Sequence, residues 1–190
     1  CARCALPLAA AAAMCGVCLR RPPAWDAAWA PFRYGWPLGQ LEASYKYSGN
    51  LAAGQTLARL WSALPPPLQL PQAIVPVPLH VSRLRRRGYN QSLELARPLA
   101  GVWKLPLLVD LLQRSRATEA QTTLDAKARR RNVRGAFRVA TGASVPAHVA
   151  VLDDVMTTGA TLNECVRVLK RAGAQRVDVW ALARAPSPGA

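Results

Sequence analysis

The sequence predicts an α/β protein with a parallel central sheet flanked by helices, preceded by a small four-cysteine module and a helical segment. Three observations carry this. First, the apolar run Val149-Ala150-Val151-Leu152 leads into a stretch of helical period, and a second apolar run, Val177 to Ala183, follows it. Strand, helix and strand at that spacing make a right-handed crossover between parallel strands, and strands apolar throughout are those covered on both faces. Second, two Cys-x2-Cys pairs lie within the first 18 residues. Third, prolines at 22–23 and 65–67 bracket a segment of helical period. With 51% of its 190 residues hydrophobic, the chain can bury one substantial core and carry one small appended module.

Residues 1–21 form the cysteine module, which the pair Pro22-Pro23 closes. Cys1, Cys4, Cys15 and Cys18 are two knuckles on a short connector, a spacing that sets four thiolates around a structural Zn²⁺ at about 2.3 Å. So short a module needs a metal or a covalent staple to fold. The rival reading, two disulfides, is disfavoured in a reducing compartment. Arg3, Arg20 and Arg21 could favour an anionic partner or simply be solvated. The chain starts at Cys1 rather than Met, so a short natural N-terminal stretch is expected to precede it.

Residues 22–67 are expected as a helical linker or hood, a hairpin broken near Ser48-Gly49-Asn50 and stopped by Pro65-Pro66-Pro67. The main domain then occupies 68–190. Ile74 to Pro78 is a short buried strand whose prolines suit an edge or a strand end. A basic loop follows, and Asn90 caps a helix carrying Leu93, Leu95, Ala96 and Leu99, which Pro98 should kink or end. Leu107 to Leu112 reads as a strand, Arg114 to Arg134 as a long mobile loop without apolar period, and Phe137-Arg138-Val139 as a short strand. Leu162, Cys165, Val166, Leu169 and Ala172 share one helix face, on which Cys165 is a core thiol. Gly173 stops that helix.

The net charge of +15 is lopsided: residues 83–138 hold fourteen Lys/Arg against four Asp/Glu. Such a field attracts polyanions such as pyrophosphate, nucleic acid or anionic lipid, and its bland reading is a solvated arginine-rich face. No apolar run approaches the roughly 20 residues that span a bilayer. The Ala9–Ala13 run is too short for a signal-peptide core, and a cytoplasmic location is expected.

The segment Val151 to Thr161 joins an apolar strand to the amphipathic helix, where open α/β sheets bind ligands. Val155, Met156, Thr157, Thr158, Gly159, Ala160 and Thr161 offer hydroxyl donors, a glycine that lets the backbone approach an anion, and a helix N-terminus. Asp153 and Asp154 beside them can accept bonds from ribose hydroxyls or help hold Mg²⁺. Loop capping is the plain alternative for each part alone. The combination points to a ribose 5-phosphate. Neither Gly-x-x-x-x-Gly-Lys-Ser/Thr nor Gly-x-Gly-x-x-Gly occurs.

The run Val151-Leu152-Asp153-Asp154-Val155-Met156-Thr157-Thr158-Gly159-Ala160-Thr161-Leu162 closely resembles the phosphoribosyl pyrophosphate motif of type I phosphoribosyltransferases. Val75 to His80, Arg83 to Gln91, and Gln121 with Arg131 to Phe137 resemble the first strand, pyrophosphate loop and mobile loop of the ComF family. With the cysteines, the resemblance spans nearly the whole chain. It implies a type I phosphoribosyltransferase fold, phosphoribosyl pyrophosphate with Mg²⁺ as ligand, and a place in natural competence, the uptake of single-stranded DNA. Competence-machinery proteins are then possible partners.

The resemblance puts pyrophosphate at Arg85, Arg86, Arg87 and Gly88, with Gly88 permitting the tight turn of an anion-binding nest. Lys127, Arg129, Arg130 and Arg131 lie on the mobile loop, where they could close over the reacting centre, contact nucleic acid or face solvent. Lys46, between Tyr45 and Tyr47, matches a lysine recurring in ComF-like sequences, and these tyrosines with Tyr89 could stack bases or pack. His80 and His148 lack an obvious acid partner. Two readings stay open: an Mg²⁺-dependent phosphoribosyltransferase acting on a base or amine, with Asp153 and Asp154 catalytic, and a binding protein that handles single-stranded DNA. A regulator sensing phosphoribosyl pyrophosphate is a third.

Overall fold

In the computed structural model, residues 1–8, 13–117 and 126–186 are described. Alternating α and β elements surround a parallel sheet, the class that the sequence predicts. At its centre are β6 (His148–Met156) and β7 (Arg176–Arg184), joined by α7 (Ala160–Arg171). β3 (Ala73–Pro76) pairs with the outer side of β6, and Leu107 bridges to Ile74 beyond it. The far edge of β7 holds two strands of two residues each, β1 (Ala28–Trp29) and β2 (Phe32–Arg33). All these pairings are parallel.

Successive side chains of a strand point to opposite faces, and here both faces are apolar. Val149, Val151, Val177, Val179 and Ala181 face α7, Trp25 and the cysteine module. Ala150, Leu152, Trp180 and Leu182 face the helices α2 (Leu38–Tyr47), α3 (Leu51–Ser62) and α5 (Gln91–Trp103). On that side Trp29, Trp103 and Trp180 meet pairwise at ring-centroid distances of 5.4–5.5 Å, and Trp61 lies 5.6 Å from Trp29.

Gly54 lies where α3 crosses Tyr45, and a Cβ there would sit 2.4 Å from the Tyr45 ring. Gly→Ala within a helix ordinarily stabilises by about 1 kcal/mol. Gly54→Ala is expected instead to destabilise by about 1–3 kcal/mol, the usual cost of overpacking, as urea unfolding would measure.

Several local expectations change. The stretch after β3, expected as a loop, is the helix α4 (Val81–Arg87), capped by His80 at its start and by Gly88 at φ 85° at its end. It has no buried residue, so no apolar period announced it. The expected strand over 107–112 narrows to the bridge at Leu107 and to β4 (Leu112–Arg114), antiparallel to β5 (Phe137–Val139). Within the expected mobile loop, Ala126–Val133 form α6 against α7. Gln121 and the side chains of Lys127, Arg129 and Arg130 lie outside the described residues. Pro98 does not end α5, which runs on to Trp103. His148 does have an acid partner, Asp178, at 2.9 Å. Among the described residues no helix is long and apolar enough to cross a membrane.

Candidate functional site

Beyond its four fully apolar residues, β6 continues as Asp153, Asp154, Val155 and Met156, so both carboxylates leave the sheet at its carboxyl edge. They open into a cleft of about 430 Å³. Thr157, Gly159, Ala160 and Thr161 line its floor at the N-terminus of α7, and Arg83, Arg86 and Arg87 line its α4 side. Tyr34, Glu42, Lys46 and Tyr47 close it on the α2 side. Gly159 is the N-cap at φ 70°, a backbone shape that disfavours a side chain. Thr158 turns outward, and its Oγ1 accepts from the Ala160 N–H at 3.3 Å.

Lys46 decides the electrostatics. Its ammonium lies 2.8 Å from Asp154 Oδ2 and 3.1 Å from Glu42 Oε1, one turn back on α2. Tyr34 donates to the other Glu42 oxygen at 3.4 Å. Ser92, in the first turn of α5, donates to Asp153 Oδ1 at 2.9 Å, and the backbone N–H groups of Asp154 and Val155 donate to the Asp153 and Asp154 carboxylates. Burial pushes the Asp153 carboxyl up, and the adjacent Asp154 charge adds to this. Burial acts on Asp154 too, but Lys46 and the Val155 N–H outweigh it and hold that carboxyl below the ordinary range. The pair is thus split, with Asp154 below and Asp153 above the ordinary carboxylate range.

On α4, positions 83, 86 and 87 share a face while 85 turns away. Arg83, Arg86 and Arg87 accordingly enter the cleft lining, and Arg85 is exposed outside it. Burial and the charges of Arg87 and Arg86 push the Arg83 guanidinium below its ordinary value; an anion would relieve this crowding. Gly88 does not form a nest, because its N–H donates to Leu84 O at 2.8 Å. Arg131 is exposed on α6. Tyr45 is 1% exposed and stacks on Tyr89 at 5.2 Å, so both pack rather than present a face. Tyr47, 64% exposed with Arg87 6.0 Å from its ring centroid, remains at the rim. Sequence reasoning passed over Tyr34, Glu42, Ser92 and Arg114 in this lining. Only Glu42, four residues before Lys46, left a readable signal.

The four N-terminal cysteines converge. Their sulfurs all lie within 4.8 Å of one another, and Cys4 and Cys15 are 3.8 Å apart. Four sulfurs about 2.3 Å from one Zn²⁺ stand roughly 3.8 Å from each other by tetrahedral geometry. A disulfide would need about 2.05 Å, and all four cysteines are free. The Cys15 and Cys18 N–H groups donate to the sulfurs of Cys1 and Cys15, stabilising thiolates. Burial and the neighbouring sulfurs push the Cys18 thiol up to about 12. The set could hold a structural metal such as zinc. Cys165, fully buried, is a core thiol.

No protein-family model matches the chain. It is similar to Competence protein F of Haemophilus influenzae, 38% identical over 193 residues, covering 97% of this chain and 84% of that protein. DNA utilization protein YhgH of Escherichia coli K12 is 37% identical at 97% and 83% coverage. Competence protein ComFC of Streptococcus pneumoniae is 28% identical over 155 residues, 82% of this chain and 67% of that protein. Identity at that level along nearly the full length, with the cysteine cluster and the strand-end carboxylates in one fold, makes this chain a member of the ComF family.

Proposed function

We propose that the cleft binds phosphoribosyl pyrophosphate with Mg²⁺ in a protein acting in natural competence, where it handles transforming single-stranded DNA. The observation that supports this best is one cleft joining strand-end carboxylates, a Thr/Gly helix N-terminus and four guanidinium groups, those of Arg83, Arg86, Arg87 and Arg114. The names of the relatives, competence and DNA utilization proteins, support the biological setting.

In this reading Thr157 to Thr161 hold the 5-phosphate at the positive end of α7. Asp153 and Asp154 accept from the ribose hydroxyls, and Arg83, Arg86 and Arg87 face the pyrophosphate. The hard oxygens of Asp153, Asp154 and Glu42 suit Mg²⁺; two of them, Glu42 Oε1 and Asp154 Oδ2, are buried and share the Lys46 ammonium. When bound, Mg²⁺ supplies positive charge at the pyrophosphate oxygens. Transfer to a nitrogen nucleophile would release pyrophosphate, with the carboxylates steadying the positive charge that develops on the ribose. Pyrophosphate release measured across a panel of bases and amines tests that activity; tight binding with no release would mark a binding protein.

Tyr47 and the α4 arginines at the rim also fit a single strand, by stacking and phosphate contact. Binding to single-stranded DNA is expected to weaken with salt at a slope of about −0.7 per phosphate neutralised. Arg86→Gln with Arg87→Gln should then flatten the slope by roughly 1.4, as fluorescence anisotropy over a salt series would show.

A further inference from the structure

We propose that Arg184 is a positioning residue: it ties the cysteine module to the loop that opens the phosphate site, so the metal state of the four cysteines sets the shape of that loop. The inference rests on the ligand assignment above for its functional consequence.

Arg184 ends β7 opposite Met156, in register with the start of the phosphate loop. It is 9% exposed, yet its hydrogen-bond partners are backbone carbonyls. Nε donates to Cys4 O at 3.0 Å, within the cysteine module. Nη1 donates to Met156 O at 3.0 Å and to Thr157 O and Ala185 O at 2.6 Å. One planar group therefore spans the module and the loop. Burying a guanidinium is costly unless its charge is met, and carbonyl dipoles meet it only in part. Two charges could complete the balance. Four thiolates around Zn²⁺ sum to −2 on the Cys4 side, and a bound phosphate would stand on the other side of Thr157.

A second, independent strut runs parallel. The Trp25 indole N–H donates to Arg3 O at 2.5 Å, between Cys1 and Cys4. The far edge of the same ring reaches the loop, where a Cβ on Gly159 would stand 2.6 Å from its Cη2. Beside it, the Ala24 N–H donates to Asn163 Oδ1 in the first turn of α7 at 2.8 Å. Neither Arg184 nor Trp25 is among the residues that line the cleft. Since a Cys4 module folds only around its metal, emptying it would release the Cys4 and Arg3 carbonyls together. The loop would relax with no cleft residue changed.

Hydrogen exchange read at residues 156–161, with calorimetric titration of phosphoribosyl pyrophosphate and Mg²⁺, tests this on the zinc-loaded full chain. Chelation, and separately Arg184→Gln, should each speed exchange at 156–161 and weaken binding on the order of 10- to 100-fold. Arg184→Gln should keep its zinc and the protection of α3 and α5, which a general loss of stability would not spare. Trp25→Phe drops the bond to Arg3 and withdraws the far edge of the indole from Gly159, and should shift both readouts the same way by less; it decides the matter if Arg184→Gln does not fold. Native exchange at 156–161 and unaltered affinity in these variants would overturn the proposal. A wild-type chain that ignores the ligand but loosens at 156–161 on chelation would instead overturn the ligand assignment and leave the coupling standing.

Discussion

Replacing Asp153 and Asp154 together by alanine is expected to weaken binding of phosphoribosyl pyrophosphate with Mg²⁺ by roughly 30- to 4,000-fold, since losing buried charged partners costs about 2–5 kcal/mol in binding. The double variant removes the proposed hydroxyl acceptors and two of the three carboxylates proposed for the cation, and leaves Lys46 paired with Glu42. Asp154→Asn alone separates the charge from the shape. It breaks a buried pair of 2.8 Å, a type of loss that costs about 3–5 kcal/mol; because Glu42 still holds the ammonium, the lower end is expected. Calorimetry gives the affinity and urea unfolding the stability. Unchanged affinity in the double variant would remove the ligand assignment.

The pH dependence has a defined sign. Asp153 is pushed up by burial and by Asp154, so a proton competes with the cation and hydroxyls, and affinity should rise with pH through that raised value. The effects on folding oppose each other. The raised Asp153 favours the folded state at low pH, an advantage lost as pH climbs from the ordinary carboxylate range to its raised value. The depressed Asp154 contributes stability above the ordinary range that is lost as pH falls. Asp153→Asn should therefore flatten the affinity profile, and Asp154→Asn should make the protein less sensitive to acid.

Cys4→Ser with Cys15→Ser, or chelation under reducing conditions, is expected to abolish metal binding and lower Tm by about 10 °C. Cys4, Cys15 and Cys18 are buried in the same apolar cluster as Trp25, Met156 and Ala160. Opening the module exposes Trp25, worth about 1.5–3 kcal/mol of burial, and leaves the buried Arg184 without its Cys4 acceptor, about 1–3 kcal/mol more. For a chain of this size 1 kcal/mol moves Tm by about 2–4 °C. Metal analysis beside thermal unfolding checks both parts. An unchanged Tm after complete metal loss would mean that the cysteines only decorate the fold.

Features whose cause is local could be read along the chain. The β6–α7–β7 unit shows in an apolar run, a helical period and a second run because each periodicity repeats within its own element. The cysteine cluster shows in its spacing, since each knuckle closes over three residues. Asp153, Asp154 and the Thr/Gly turn show because strand end, turn and helix start are contiguous. Where periodicity is missing, legibility fails. β1 and β2, two residues each, exist because the edge of β7 pairs with them, and two residues carry no period. α4 has no apolar face and is held by its caps, so it reads as a loop. The run from Leu107 to Leu112 shows the reverse error, apolar residues without a continuous ladder to join.

Contacts between distant residues leave no trace in composition or spacing. Lys46 meets Asp154 across 108 positions because α2 packs on the face of the sheet to which Asp154 turns. That contact holds the Asp154 carboxyl below the ordinary range against its burial. Arg184 reaches Cys4 across 180 positions because β7 brings its last residue beside Met156, at the start of the loop that leads into α7. The chain order thus specified which groups could bind a phosphate and a metal. Packing around the sheet joined those two sites, because a buried charge must find its partners wherever the fold brings them.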